Sequence, residues 1–352
     1  MKDIVYYVPY FHWGSNLNAG YKARVDTEST FKELGFKELE IFGRNSGEKR
    51  TLSLSKLVRM ILFKAPSIQT SPTIFFQSGT GIDIFISDAL RRKFSRARRV
   101  IIIHDIESIR YSRKIDRIRE KIVFERFTDA VCNTERLAEY LKNELGFQGR
   151  IYISGLWDYL VKNRKLLEEK LQKLFKFKPE KYVVSFAGNL SKSTFLKRII
   201  KELNPSNYMY CLYGKGYGGD AKDGVLEYKG VFHPDELPYK IEGHFGLVWD
   251  GEEVNGISGT VGHYLKYNSP HKASLYIVSG LPLIVWKESA IYETVKEYNI
   301  GFGVNSLKEI DEILSKVSEK DYQVWRENTI KLGKKLASGE NVKEIINRIL
   351  SK

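Results

Sequence analysis

The stretch KYNSPHKASLYIVSGLPLIVW, residues 266–286, sets a His-Lys pair at the mouth of a segment with helical apolar spacing. Ser269 reads as an N-cap, Pro270 as the first helical residue and Gly280 as the stop, which predicts a helix over 270–279. The free N–H groups and positive dipole end of such a helix attract an anion. Lys272 adds a full positive charge in a first turn that otherwise disfavours cations, so phosphate binding is expected there; a solvent-facing lysine is the structural alternative.

A second group of ionisable residues ends the apolar run VIIIHDIES. His104, Asp105 and Glu107 stand where α/β sheets hold reactive side chains, and a carboxylate there can accept a proton from a substrate hydroxyl. A His-Asp pair that only caps the next helix is the competing reading. FAGNLSKSTFL joins a strand to a helix through Gly188 and Asn189, a geometry suited to a ligand's polar groups or to an ordinary turn capped by Ser191. The loop over 11–26 carries Gly14, Ser15, Asn18 and Gly20 toward the rim of His104 and Asp105. YGKGYGGD matches G-x-G-x-x-G in spacing, but AKDGVLEYKG follows in place of an apolar helix, so a loop is expected. In GLWDYL (155–160), Trp157 and Asp158 either line a cleft or pack a hinge, and packing is expected.

The elements that must position these residues alternate along the chain. Strands are expected at 4–8, 38–42, 73–77, 100–105, 130–133 and 150–154, with helices near 21–34, 52–64, 83–93, 114–128 and 134–145. After a charged helical connector at 163–181, strands recur at 182–188, 208–214, 226–231, 245–250, 282–286 and 301–304. That rhythm is α/β: a doubly wound domain over 1–160, a linker over 161–180, a second domain over 181–319 and C-terminal helices over 320–352. Ligands of such sheets bind beyond the carboxyl ends of the strands, and two facing domains make a cleft.

Composition narrows the class. In 352 residues, 42% hydrophobic and 28% charged, no run approaches the ~18 apolar residues of a membrane span. No signal peptide is read at the N-terminus, and Cys132 and Cys211 lie apart in apolar runs, as reduced core thiols of a cytoplasmic protein would. The net charge of +14, from 57 Lys+Arg against 43 Asp+Glu, is densest in RRKFSRARR (91–99) and KLVRMILFK (56–64). Such patches suit an anionic membrane surface or phosphorylated ligands, or are simply solvated. A nucleic-acid binder is the remote alternative, without a recognition module or an aromatic-basic RNA motif, so no nucleic acid is expected. No H-E-x-x-H, P-loop, G-x-S-x-G or D-x-D motif is present, and no metal site or cofactor is expected.

The second half resembles the bacterial β-1,6-galactofuranosyltransferases of O-antigen and capsule assembly. AGNLS (187–191), FGLVWDG (245–251), SGTVGHYLKYNSPHKASLYIVSGLPLIVW (258–286) and IGFGV (300–304) carry the resemblance, with NAGYKAR (18–24) and IIHDIESIR (102–110) in the first half. A more distant resemblance is to the enzyme that adds glucose to N-acetylglucosamine on serine-rich streptococcal adhesins, through the HD, GLWD, GN, FGLVW and K-x-S positions. The resemblance implies a GT-B glycosyltransferase of two Rossmann-like domains. It implies UDP-galactofuranose held by Lys272 and Ser274, with Asn189 and Gly188 reaching the nucleotide or sugar and Phe232 against the uracil. Gly14 and Ser15 join this donor set, as does His271, which the adhesin relatives do not carry at that place. Transfer would be inverting, to a hydroxyl such as O6 of an α-glucosyl residue on a polyprenyl-diphosphate-linked glycan, with Asp105 as base and Glu107 and His104 behind it. A cytoplasmic protein, peripheral on the inner membrane face and compatible with homo-oligomers, is the corresponding expectation; UDP-glucose transfer to a glycosylated adhesin is the alternative.

Overall fold

The computed structural model describes residues 4–10, 19–39, 71–172 and 180–351, which fall into two compact units. Of these residues the first holds 4–10, 23–39, 71–154 and 342–351; the second holds 19–22, 155–172 and 180–341. The expected helix at 52–64, the basic run at 56–64, and Gly14 and Ser15 lie outside the described residues.

The first sheet consists of β1 (Val5–Tyr7), β2 (Lys37–Glu38), β3 (Thr73–Gln77), β4 (Arg98–Ile102), β5 (Asp129–Cys132) and β6 (Arg150–Ile153). All its pairings are parallel, in the order β2-β1-β3-β4-β5-β6. The second consists of β7 (Tyr182–Ala187), β8 (Tyr208–Tyr213), β9 (Leu226–Gly230), β10 (Phe245–Val248), β11 (Leu283–Trp286) and β12 (Gly301–Val304). It is also parallel, in the order β12-β11-β10-β7-β8-β9. Both are doubly wound. The order reverses between β1 and β3 in one sheet and between β7 and β10 in the other, which opens a crevice at the carboxyl edge of each.

Helices cover the sheets, so the inner strands read as unbroken apolar runs: every residue of β3, β10 and β11 is buried. Cys132 and Cys211 are free thiols in these interiors, and burial pushes both up, Cys211 to about 11. Two helices, Glu319–Ala337 and Glu340–Leu350, end the chain. A capping box between Ser318 and Asp321 starts the first of them. The second helix joins the first unit, where Arg98 donates to the Ile349 carbonyl and Lys343 pairs with Glu33 at 2.6 Å.

Arg98 is also the centre of the ion network at the amino edge of β4–β6. Its guanidinium meets the fully buried Asp129 carboxylate at 2.8 and 3.2 Å and donates to the Tyr152 hydroxyl at 2.9 Å. Arg150 reaches the same carboxylate at 2.9 Å. Burial pushes the Asp129 carboxyl up, but the Arg98 and Thr128 hydrogen bonds and the nearby positive charges outweigh it and hold the group below the usual range. A carboxyl depressed on folding contributes stability above its unfolded pKa of about 3.9 and loses it as pH falls through the folded value. Asp129→Asn is therefore expected to cost about 3 kcal/mol near neutral pH and to flatten the acid limb of the stability profile. Urea midpoints of both proteins from about pH 7 to pH 3 measure this, and equal midpoints at neutral pH would refute it.

Candidate active site

The helix His271–Val278 lies on β10 because Gly246 leaves room for it. A Cβ on Gly246 would come within 2.2 Å of the Tyr276 ring. With the ring seated there, the Tyr276 hydroxyl accepts from the Ala187 N–H at the end of β7, 2.7 Å away. Burial pushes this phenol well up, so it stays protonated. The helix ends in a Schellman motif: Leu281 N donates to Tyr276 O and Gly280 N to Ile277 O, with Gly280 at φ +74°. Its start differs from expectation by one residue. Pro270 takes the cap position with extended backbone (φ −71°, ψ 140°), which leaves Ser269 outside and the first turn without a side-chain cap.

This placement brings Lys272 to the reversal point of the second sheet. Its ammonium, largely buried, lies 4.4 Å from the centre of the Phe186 ring on β7. It donates to Trp249 O at 3.2 Å and pairs with Asp250 Oδ2 at 3.3 Å, both just past β10. A cation fixed between the carboxyl ends of β7 and β10, in the first turn of a helix, can neutralise an anion in that crevice. Asp250 is the partner that sequence reasoning did not assign, although it stands in the FGLVWDG motif.

Other expected donor residues divide into two sets. Gly188 and Asn189 leave β7 at the same edge, where Gly188 N donates to Tyr213 O and a Cβ on Gly214 would strike Gly188 O at 1.9 Å. Asn189 Oδ1 accepts from Ser191 Oγ at 2.7 Å, forming a local turn; the helix begins only at Leu196, so Ser191 is not its cap. Phe232 follows β9 and packs half-buried against Tyr213. Residues 214–223 contain no helix, which removes the dinucleotide alternative. His271 and Ser274 face elsewhere: His271 Nε2 donates to Asp158 O at 3.0 Å with its ring stacked on Tyr159, and Ser274 Oγ donates to Trp157 O at 2.6 Å. They bind the helix to the GLWDYL segment, whose Trp157 and Asp158 are buried, as packing required.

In the first unit a pocket at the carboxyl edge is lined by Ser78, Gly79, Asp105, Glu107, Arg119 and Glu120, among others. Asp105 is partly exposed and pairs with Arg110 at 3.3 Å. Glu107 accepts from Arg119 at 2.8 Å. Glu120 accepts from the Glu107 and Ser108 amides, and burial raises its carboxyl. His104 is buried in the turn two residues past β4. Gln77 donates through Nε2 to Arg24 O, so its Oε1 must accept from His104 Nε2, 2.8 Å away. Arg24 then donates to Ser78 O at 2.9 Å, where Gly79 leaves room for its guanidinium. The structure thus joins Asp105 and Glu107 in one pocket and gives His104 a supporting place behind it. Arg24, Arg110 and Arg119 are the neighbours that sequence reasoning missed, two of them inside the NAGYKAR and IIHDIESIR motifs. Among the described residues no group of three or more His, Cys, Asp or Glu side chains could hold a metal ion.

Comparison with known proteins gives this geometry its context. The model of the glucosyltransferase 3-like, N-terminal domain matches residues 6–153, and that of the glucosyltransferase 3-like, C-terminal domain matches 184–349. The chain is 26% identical to the beta-1,6-galactofuranosyltransferase WbbI of Escherichia coli (strain K12) over 96% of both chains. It is 24% identical to glucosyltransferase 3 of Streptococcus gordonii over 92% of both. In fold it is similar to Anabaena HepE, solved in complex with UDP-glucose: TM-score 0.57 at 11% identity, over 99% of this chain and 100% of that one.

Tyr276→Phe keeps the ring over Gly246 but removes the oxygen that the buried Ala187 N–H needs. It is expected to cost about 1–3 kcal/mol, seen as a lower urea midpoint. An unchanged midpoint would mean that the amide finds another acceptor.

Proposed function

The chain belongs to the glucosyltransferase 3-like family, and from this we propose that it transfers a hexosyl group from a UDP-sugar to a glycan hydroxyl with inversion. The observation that carries the reading is the Lys272 ammonium held at the β7/β10 reversal beside a helix N-terminus. A diphosphate meeting that edge gains a full charge and the dipole end together, without a metal. Gly188 and Asn189 line the same edge, and Phe232 offers a ring for the base. We assign the donor as UDP-galactofuranose and the acceptor as O6 of an α-glucosyl residue on a polyprenyl-diphosphate-linked glycan, with the protein peripheral on the inner membrane face. The 26% identity over nearly all of both chains favours this donor. A second reading, UDP-glucose as donor to a glycosylated adhesin or other glycan, is favoured by the family description and the streptococcal relative.

The chemistry is one displacement. The acceptor oxygen attacks the anomeric carbon, the bond from that carbon to the β-phosphate oxygen breaks, and the electron pair leaves on UDP, whose charge Lys272 meets. The hydroxyl proton goes to Asp105, which Arg110 holds in place. No helix among the described residues is long and apolar enough to cross a membrane.

Lys272→Ala is expected to weaken UDP binding by about 1.5–3 kcal/mol in calorimetry, and unchanged affinity would remove Lys272 from the donor site. Asp105→Asn is expected to lower turnover on the order of a hundredfold or more with UDP affinity intact; normal turnover would sink the base assignment. Incubation with UDP-galactofuranose and UDP-glucose in turn, with an α-glucoside acceptor, separates the two donors by which one releases UDP.

A further inference from the structure

The helix Lys114–Phe124 of the first unit is seated the wrong way round for an ordinary surface helix. It buries the carboxylates Asp116 and Glu120 with Val123 and Phe124, and it turns Ile115 and Ile118 outward. At 68% and 56% exposed, these are the two most exposed large apolar side chains among the described residues. The inversion has a local cause. Asp116 is held by Arg113 at 2.5 Å and Arg119 at 3.3 Å, and Glu120 by two backbone amides of the preceding helix, Glu107–Tyr111. The two amide bonds to the Glu120 carboxylate therefore fix the inner face and leave the isoleucines to solvent, while the pairs made by Asp116 offset the burial of its charge.

Beside the row Ile115–Ile118 runs a basic row, Lys114, Arg117 and Lys121, one helical position away. Lys114 and Lys121 are exposed and make no ion pair among the described residues, whereas Arg117 is paired with Glu144 at 2.6 Å. Tyr111, also exposed, lies under the guanidinium groups of Arg110 and Arg113. The neighbouring helix, Asp83–Lys93, adds Lys93 in its last turn, along with Arg91 and Arg92, which are paired with Glu125 and Asp88. We propose that this face is the docking surface for an anionic lipid bilayer, with Ile115 and Ile118 entering the headgroup boundary and Lys114, Arg117 and Lys121 at phosphate level. Charge selects this occupant over a second copy, since a twofold contact would set the same cationic row against itself. Glu120, Val123 and Phe124 from the buried face of the helix, with Arg119 from its exposed flank, line the Asp105 pocket. One short helix therefore carries both the bilayer contact and a wall of that pocket, which suits an acceptor held in the membrane. In that last respect the proposal rests on the lipid-linked acceptor of the reading above.

The test is flotation of the full chain with phosphatidylcholine vesicles, alone or with about one third phosphatidylglycerol. Salt-sensitive binding to the anionic vesicles only is expected. Ile115→Ser/Ile118→Ser should lower partitioning at least about tenfold, and Lys114→Glu/Lys121→Glu should abolish the response to phosphatidylglycerol. Both pairs are exposed, so thermal unfolding should match the parent. Wild-type failure to float, or flotation of the isoleucine variant equal to the parent, overturns the proposal. So does a shift from oligomer to monomer in the isoleucine variant without lipid, which would assign the face to a second copy. UDP release with a soluble α-glucoside is measured alongside. Turnover without flotation sinks only the bilayer surface, and flotation without turnover with any UDP-sugar sinks only the transferase reading.

Discussion

The contact on which the second unit depends is a tyrosine ring pressed onto a glycine. Tyr276 can lie against β10 only because residue 246 has no Cβ, and its hydroxyl then closes on the Ala187 amide of β7. One side chain thereby fixes the helix His271–Val278 to two strands that are neighbours in space and nearly sixty residues apart in sequence. The strand order doubles back at those strands, so the helix mouth and the crevice come to the same place. His271 and Ser274 hold the helix from another side, through the carbonyls of Asp158 and Trp157. Lys272 inherits its position from these contacts.

A lysine so placed is locally unfavourable, because the helix dipole repels it and most of its length is withdrawn from water. Phe186 and Asp250 offset this, the ring through its face and the carboxylate through its charge. The arrangement is suited to exchange: an anion arriving at the crevice meets a cation already desolvated and oriented, held by a single carboxylate at the edge. The first unit has a comparable division of labour between its two edges. Arg98, Asp129 and Arg150 lock the amino ends of β4–β6, while the carboxyl ends carry Asp105 and Glu107 with arginines around them.

Much of this was legible in the chain. Parallel strands buried on both faces are continuous apolar runs and were found, while the strand expected at 38–42 is the exposed pair Lys37–Glu38, with 40–42 outside the described residues; the stop at Gly280 was marked by its residue type. The cap was misread by one position because Pro270 itself adopts the extended conformation, which local propensity for Pro at the first helical residue does not foresee. Asp250 was not assigned, since its role exists only when β10 lies beside β7, and no local pattern sets that order. The commitments of His271 and Ser274 to carbonyls more than a hundred residues away were unreadable for the same reason. His104 was ranked behind Asp105, and its place is set by burial and by the bond to Gln77, neither of which the motif displays.

The helix at 114–124 shows that apolar spacing can name an element without naming its face. Ile115, Ile118 and Ile122 recur at helical spacing, which from sequence alone marks an inward stripe. What decides the face is the pair of donors waiting beneath it, the amides of residues 107 and 108 that meet Glu120. Turning the helix over would bury the isoleucines and strand those donors, and an unpaired buried donor costs as much as an apolar side chain regains. The exposed isoleucines are thus a consequence of how the Asp105 pocket is walled. A helix that must present Glu120 inward has its apolar row left over, and the cations beside that row give it the character of a surface made to meet something anionic and apolar at once.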